Sequence, residues 1–230
     1  MLGVRSILID FDGTACAHDA AEHILEAFGQ AGWRELDEVW ERGEMGAPES
    51  LTIQAAMMRR PTQEIVAFAV EHCPMEPTFA PFVRRCQDAG VPVTLVSDGF
   101  GLYIEPLLRA VGIEGVAIVT NTWVDGGEIA FPNGHPDCIG CGTCKMRAVL
   151  QAPGPVAFIG EGSSDKYAAV YADLVYAKDV LVHHCERDGV PYRPWTDFDD
   201  VWRDLTEGAP PPGPVAPLRC PGWMPRSPTA

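Results

Sequence analysis

Residues 4–9, Val4-Arg5-Ser6-Ile7-Leu8-Ile9, form a short, mostly apolar and β-branched run that stops abruptly at Asp10-Phe11-Asp12-Gly13-Thr14. Such a run predicts a central buried strand that delivers acidic residues at its carboxyl end. The pattern then changes. Apolar positions recur at helical spacing over residues 21–28, 33–40, 50–58, 62–70 and 77–88. Gly29, Gly32, the stretch 43–48, Pro61 and the stretch 74–77 separate these segments as breakers. The block predicts a small helical bundle inserted after the first strand.

Strand patterns return at residues 91–97, 115–120, 156–160 and 174–177, with helical patterns at 102–111, 144–150 and 166–172 between them. Strands alternating with helices predict an α/β fold, a parallel sheet flanked by helices. Asp125-Gly126-Gly127 is a hairpin signal and predicts one short antiparallel excursion. After Gly208 the chain is too rich in proline to pack as an element, which predicts a loosely attached tail. The expected organisation is a core of residues 1–16 and 88–207, a helical cap of 17–87 and a tail of 208–230.

Composition narrows what this architecture can serve. With 47% hydrophobic residues among 230, the chain can bury a sizeable core. No apolar stretch approaches the roughly 20 residues that span a bilayer. There are 17 Lys and Arg against 32 Asp and Glu, a net charge of −15, and no basic cluster denser than Arg59-Arg60 or Arg84-Arg85. That balance argues against nucleic acid and anionic membrane surfaces as partners. The N-terminus lacks the pattern of a signal peptide, so a cytoplasmic location is expected, with the 8 cysteines as thiols.

In an open parallel sheet, ligands bind outside the carboxyl ends of the strands. The residues that follow the predicted strands are Asp10 and Asp12, then Ser97-Asp98-Gly99, then Glu161 and Asp165. Lys145 at a helix start adds an ammonium. Carboxylates that need a cation, a hydroxyl and an ammonium in one crevice are equipment for moving a phosphoryl group. Asp10-Phe11-Asp12-Gly13-Thr14, Ser97-Asp98-Gly99, Lys145 and Gly160-Glu161-Gly162-Ser163-Ser164-Asp165 resemble, in order, the four motifs of the haloacid dehalogenase (HAD) superfamily. The helical insert resembles its C1-type cap. Ser97-Asp98-Gly99-Phe100, Cys141-Gly142-Thr143-Cys144-Lys145 and the stretch 172–179 are similar to the phosphoserine-phosphatase-like branch, and within it to the methionine-salvage (MtnX-like) phosphatases. Those enzymes hydrolyse 2-hydroxy-3-keto-5-methylthiopentenyl-1-phosphate.

The resemblance implies a Rossmann-like core and a Mg²⁺-dependent phosphatase acting on a small phosphorylated metabolite. It makes Asp10 the nucleophile that forms an aspartyl-phosphate and Asp12 the general acid and base. Lys145 neutralises the transferring group, while Ser97, Asp98 and Gly99 hold its oxygens. Asp10, Asp12, Glu161 and Asp165 are the residues implied for the metal. Where the family usually carries Asp, this chain has Glu161, one methylene longer, and Mg²⁺ demands near-octahedral contacts. Two alternatives follow: a phosphoserine or phospho-alcohol substrate, or a phospho-ligand binding protein with little turnover because of Glu161.

Other side chains have plainer readings. Cys138, Cys141 and Cys144, with His135 upstream, have a spacing that can bind Zn²⁺, yet three thiols in one short loop read as a connection into the Lys145 helix. His183 and His184 read as surface or core histidines, and Trp33 and Trp40 as cap core. Glu22, His23 and Arg59 lie in the predicted cap, where a leaving group would be met.

Overall fold

The protein is described by a computed structural model covering residues 2–58, 60–123, 128–135, 138, 140–208, 210–214 and 220. Its centre is β1 (Ser6–Ile9), all four residues of which are buried. Alternation along the strand sends Ile7 and Ile9 into one apolar layer and Leu8 into the other. The sheet adds β2 (Val93–Phe100), β3 (Ala117–Trp123), β4 (Ile129–Ala130), β5 (Val156–Gly160), β6 (Leu174–Ala177) and β7 (Arg193–Pro194) in the order β4-β3-β2-β1-β5-β6-β7. All neighbours are parallel except β3 and β4, which run antiparallel. The hairpin turn expected at residues 125–127 lies outside the described residues. So does most of the proline-rich tail.

Four helices follow the first strand: α1 (Ala20–Phe28), α2 (Trp33–Glu41), α3 (Ala47–Met57) and α4 (Thr62–His72). The two chain segments that join them to the core are tied together. Cys16 and Met75 pair antiparallel, Ala17 N–H donates to Pro74 O at 2.9 Å, and Glu76 N–H donates to Ala15 O at 2.9 Å. The next helix, α5 (Phe79–Asp88), falls within the expected cap range but packs on the core. The reason is its apolar stripe: Phe79 and Phe82 meet Phe198 with ring centroids 5.4 and 5.1 Å apart.

The remaining helices are α6 (Gly101–Ala110), α7 (Lys145–Gln151), α8 (Lys166–Tyr171), α9 (Asp179–Asp188) and α10 (Phe198–Glu207). The last two were not expected from the sequence. In α10, Asp197 caps the first turn by accepting from Asp200 N–H at 2.9 Å, and Phe198, Val201 and Leu205 bury one face. β2 also runs three residues beyond its expected end. Side chains of β3 hold this extension: Thr120 Oγ1 donates to Gly99 O at 2.7 Å and Asn121 Nδ2 to Asp98 O at 2.6 Å. Ser97-Asp98-Gly99 is thereby kept extended at the sheet edge that faces the cap.

Candidate active site

Asp10 leaves β1 at the middle of the sheet, its N–H donating to Ile159 O at 2.9 Å. The chain then turns tightly over Phe11–Ala15 around the buried Phe11. Gly13 takes φ +68°, a left-handed conformation that costs other residues about 1–2 kcal/mol. A second constraint acts on the same position. A Cβ on Gly13 would lie 2.9 Å from Glu161 Cδ, so the longer Glu161 side chain rests in the space that glycine leaves. Gly13→Ala is therefore expected to lower stability by about 1–2 kcal/mol and to displace Glu161, read as a lower melting temperature together with loss of activity.

Lys145 opens α7 and is 3% exposed. Its Nζ donates to Asp10 Oδ1 at 2.5 Å, Asp165 Oδ1 at 2.7 Å and Ser164 Oγ at 2.8 Å, which uses all three donors. Desolvation opposes its charge, but Asp10, Asp165 and Asp98 together hold its pKa well above the ordinary lysine value. Burial, then the neighbouring Asp165, pushes Asp10 up against the pull of Lys145. Asp12 accepts from Ala20 N–H at 2.9 Å and from Ser97 Oγ at 3.3 Å. Desolvation, reinforced by Asp19, raises it to about 8. Glu161 is raised to about 7 by desolvation and then by Asp165 and Asp179.

These groups line a cavity of about 300 Å³ between the cap and the carboxyl edge of the sheet. Asp10, Asp12, Asp98, Gly99, Lys145 and Glu161 reach its surface. Ser97 and Asp165 stand behind it. The Ser97 hydroxyl accepts from Gly99 N–H at 2.8 Å, so it orders Asp12 and the Gly99 peptide. Asp165 is fully buried, with Oδ1 on Lys145 and Oδ2 accepting from Glu161 and Gly162 N–H, each at 3.0 Å. Through both oxygens Asp165 holds Lys145 and the loop of residues 161–162.

Five carboxylates, Asp10, Asp12, Asp98, Glu161 and Asp165, crowd around one ammonium, and burial penalises the charge of those raised among them. An oxygen-rich, negatively charged set of this kind fits a hard divalent cation. Among the described residues no three His, Cys, Asp or Glu side chains are arranged to hold a metal. The carboxylates that reach the cavity are those of Asp10, Asp12, Asp98 and Glu161, oxygen donors of the type such a cation takes.

The cap contributes side chains that periodicity did not single out. Trp40 lines the cavity, whereas Trp33, seven residues earlier, is buried at 6% exposure. Glu22, Asp37 and Gln54 line it as well, Gln54 Nε2 donating to Asp37 Oδ1 at 2.7 Å. His23 bonds to Asp19 O and stacks on His18, and Arg59 lies outside the described residues. His183 is exposed, and His184 meets Ser163 Oγ at 3.2 Å. Cys138 accepts from Gly140 N–H at 3.3 Å, and Cys144 is buried with Met146 and Cys220. All eight cysteines are free of disulfides.

Comparison with known proteins agrees with this arrangement. The chain is 28% identical over 210 residues to a 2-hydroxy-3-keto-5-methylthiopentenyl-1-phosphate phosphatase of Brevibacillus brevis, covering 87% of this chain and 95% of that one. A protein of the same name from Geobacillus kaustophilus is 28% identical over 204 residues, covering 85% and 92%. Among solved structures, a substrate-bound phosphoserine phosphatase matches with TM-score 0.65 at 16% identity, over 86% of this chain and 97% of that one. Phosphoserine phosphatase from T. onnurineus matches with TM-score 0.64 at 17% identity, over 88% and 94%. At these identities the structural matches speak to the fold. The family model for haloacid dehalogenase-like hydrolases matches residues 7–169, most of the chain, and the protein belongs to that family.

Proposed function

We propose that the protein is a Mg²⁺-dependent phosphatase that hydrolyses a small phosphomonoester through an aspartyl-phosphate on Asp10. The observation that carries this reading is the pairing of Asp10 with Lys145 at 2.5 Å, two residues from an Asp12 held by Ser97 and the Ala20 peptide, at the floor of a capped cavity. An oxygen of Asp10 attacks phosphorus, and the bond to the ester oxygen breaks. Asp12, raised to about 8 and so protonated at neutral pH, gives its proton to the leaving oxygen. It then takes a proton from the water that attacks the acyl phosphate, which releases phosphate and restores Asp10. Lys145 offsets charge on the transferring group, and the Gly99 peptide lies beside it. The Asp10 and Glu161 side chains and the Asp12 carbonyl would hold the metal, which supplies charge neutralisation for the phosphoryl oxygens.

The lead substrate is the one in the names of the sequence relatives, 2-hydroxy-3-keto-5-methylthiopentenyl-1-phosphate. Phosphate release measured over a metabolite panel, with Mg²⁺ and with a chelator, tests the reading. Release that ignores the chelator would remove the metal from it, and no release from any ester would remove the activity. Glu161 gives a sharper check. Its carboxyl already reaches the Gly13 turn, so Asp at 161 would draw the ligand oxygen back by one methylene and Gln would remove its charge. Glu161→Asp and Glu161→Gln are expected to raise the Mg²⁺ concentration for half-maximal activity on the order of tenfold or more. An unchanged requirement would place Glu161 outside the metal site.

A further inference from the structure

Asn121 lies on β3 at 1% exposure, outside the lining of the cavity, and its side-chain amide touches two segments that reach the reacting groups. The first is the end of β2. Up to Val96 the two strands pair in regular register, and the pairing then shifts before it resumes at Phe100 and Asn121. Asp98 O falls in that gap and accepts from Asn121 Nδ2 at 2.6 Å. In a trans peptide the carbonyl and the following N–H share one plane and point opposite ways, so a grip on Asp98 O also fixes Gly99 N–H. That N–H meets Ser97 Oγ at 2.8 Å, and Ser97 Oγ donates to Asp12 Oδ2 at 3.3 Å.

The second segment is the loop that enters α7. Asn121 Oδ1 accepts from Thr143 Oγ1 at 3.2 Å, and Thr143 is itself 1% exposed. Thr143 N–H donates to Asp98 Oδ1 at 2.5 Å, and Lys145 N–H donates to Thr143 O at 3.0 Å. Glycine at 142 lets this loop rest on the amide, since a Cβ there would lie 2.8 Å from Asn121 Nδ2. A buried amide must be satisfied somewhere in any fold. This one is satisfied at its nitrogen by the segment that leads to Asp12 and at its oxygen by the segment that leads to Lys145.

We propose that Asn121 is a positioning residue for phosphoryl transfer: its amide ties the Asp98–Gly99 peptide to the Thr143–Lys145 turn and so keeps Asp12 and Lys145 in one register around Asp10. The inference rests on the phosphatase reading and adds to it a residue that lies behind the reacting groups. Charge neutralisation and proton transfer act on groups placed to within a fraction of an ångström, and a misplacement of about 1 Å can cost on the order of 10²-fold in rate. Loosening the tie should therefore weaken the hold on the transition state more than the hold on the ester in its ground state.

The test measures kcat, KM and inhibition by orthovanadate with p-nitrophenyl phosphate in the full-length protein with Mg²⁺, beside the melting temperature. Thr143→Val removes the hydroxyl on Asn121 Oδ1 and keeps the Thr143 peptide bonds to Asp98 and Lys145. It is expected to lower kcat by about fivefold, the effect of one neutral hydrogen bond, and to leave KM within about twofold. Vanadate, which mimics five-coordinate phosphorus, should weaken by the same factor as kcat. Thr143→Ser keeps the hydroxyl and is expected to hold kcat within about twofold of the parent. Asn121→Leu, of similar size with neither donor nor acceptor, is expected to lower kcat on the order of thirtyfold. Adding Thr143→Val to it should lower kcat no further, because the bond is already gone. An amide with a structural role alone would lower the melting temperature of Asn121→Leu without moving kcat or vanadate inhibition of the folded protein. Parent-like kcat and vanadate inhibition in Thr143→Val would overturn the positioning role, whether or not Asn121→Leu folds, and so would a Thr143→Ser variant as slow as Thr143→Val. Either result leaves the phosphatase standing. Absence of Asp10-dependent release by the parent would instead overturn the phosphatase reading and this role with it.

Discussion

Asp10→Asn is expected to lower phosphate release by on the order of 10⁴-fold or more while the fold remains intact. The amide has the shape of the carboxylate but no anionic oxygen to form the acyl phosphate, so the covalent route is closed. The fold should survive for a reason visible around Lys145. With Asp10 neutral, the ammonium keeps Asp165 at 2.7 Å and Ser164 at 2.8 Å as partners. Asp165, fully buried, keeps the Glu161 and Gly162 peptides as well as Lys145. The substitution also removes one of the carboxylates that burial penalises. The expected melting temperature is thus close to the parent's, and single-turnover measurements should detect no phosphorylated enzyme. Residual release within about tenfold of the parent would exclude Asp10 as nucleophile.

The legible parts of this site are those that one strand and its turn carry together. Residues 4–14 read as a buried strand ending in paired carboxylates, and the pairing of β1 with both β2 and β5 puts Asp10 at the middle of the sheet. Lys145 could be recognised only by its order among motifs. Its partners are 135, 20 and 19 residues away in sequence, and no local pattern encodes such a meeting. The same limit hid the roles of Ser97 and Asp165. Their residue types fit phosphate and metal contacts, and the tertiary hydrogen bonds that each makes, Ser97 to Asp12 and Asp165 to Lys145, are not written in any local pattern. Periodicity shows that a helix has an apolar face, not what covers it. The stripe on α5 suited a bundle equally well and is covered by α10. Trp33 and Trp40 occupy equivalent heptad positions on α2, yet one is buried and the other lines the cavity.

Lys145→Met is the substitution expected to damage stability most, by about 3–5 kcal/mol, because it leaves buried carboxylates without their counter-charge. Asp10 at 4% exposure and Asp165 at 0% lose the shared ammonium, and methionine offers no donor for the three acceptors it served. The pH dependence has a definite sign. Asp10 already has its pKa raised by burial and by Asp165, and removal of Lys145 deletes the main influence that lowers it. A carboxyl whose folded pKa lies above its unfolded value binds protons more readily in the folded state. The penalty in the variant is therefore full above the folded pKa and relieved as pH falls toward the ordinary carboxylate value of about 4. Urea denaturation at stepped pH should show the gap between variant and parent narrowing with acidification. Adding Asp165→Asn removes one of the two stranded charges and should recover part of the loss without restoring activity, since in the proposed reaction Lys145 also offsets charge on the phosphoryl group. A gap that is constant with pH, or no recovery in the double variant, would mean that lost packing rather than stranded charge sets the cost.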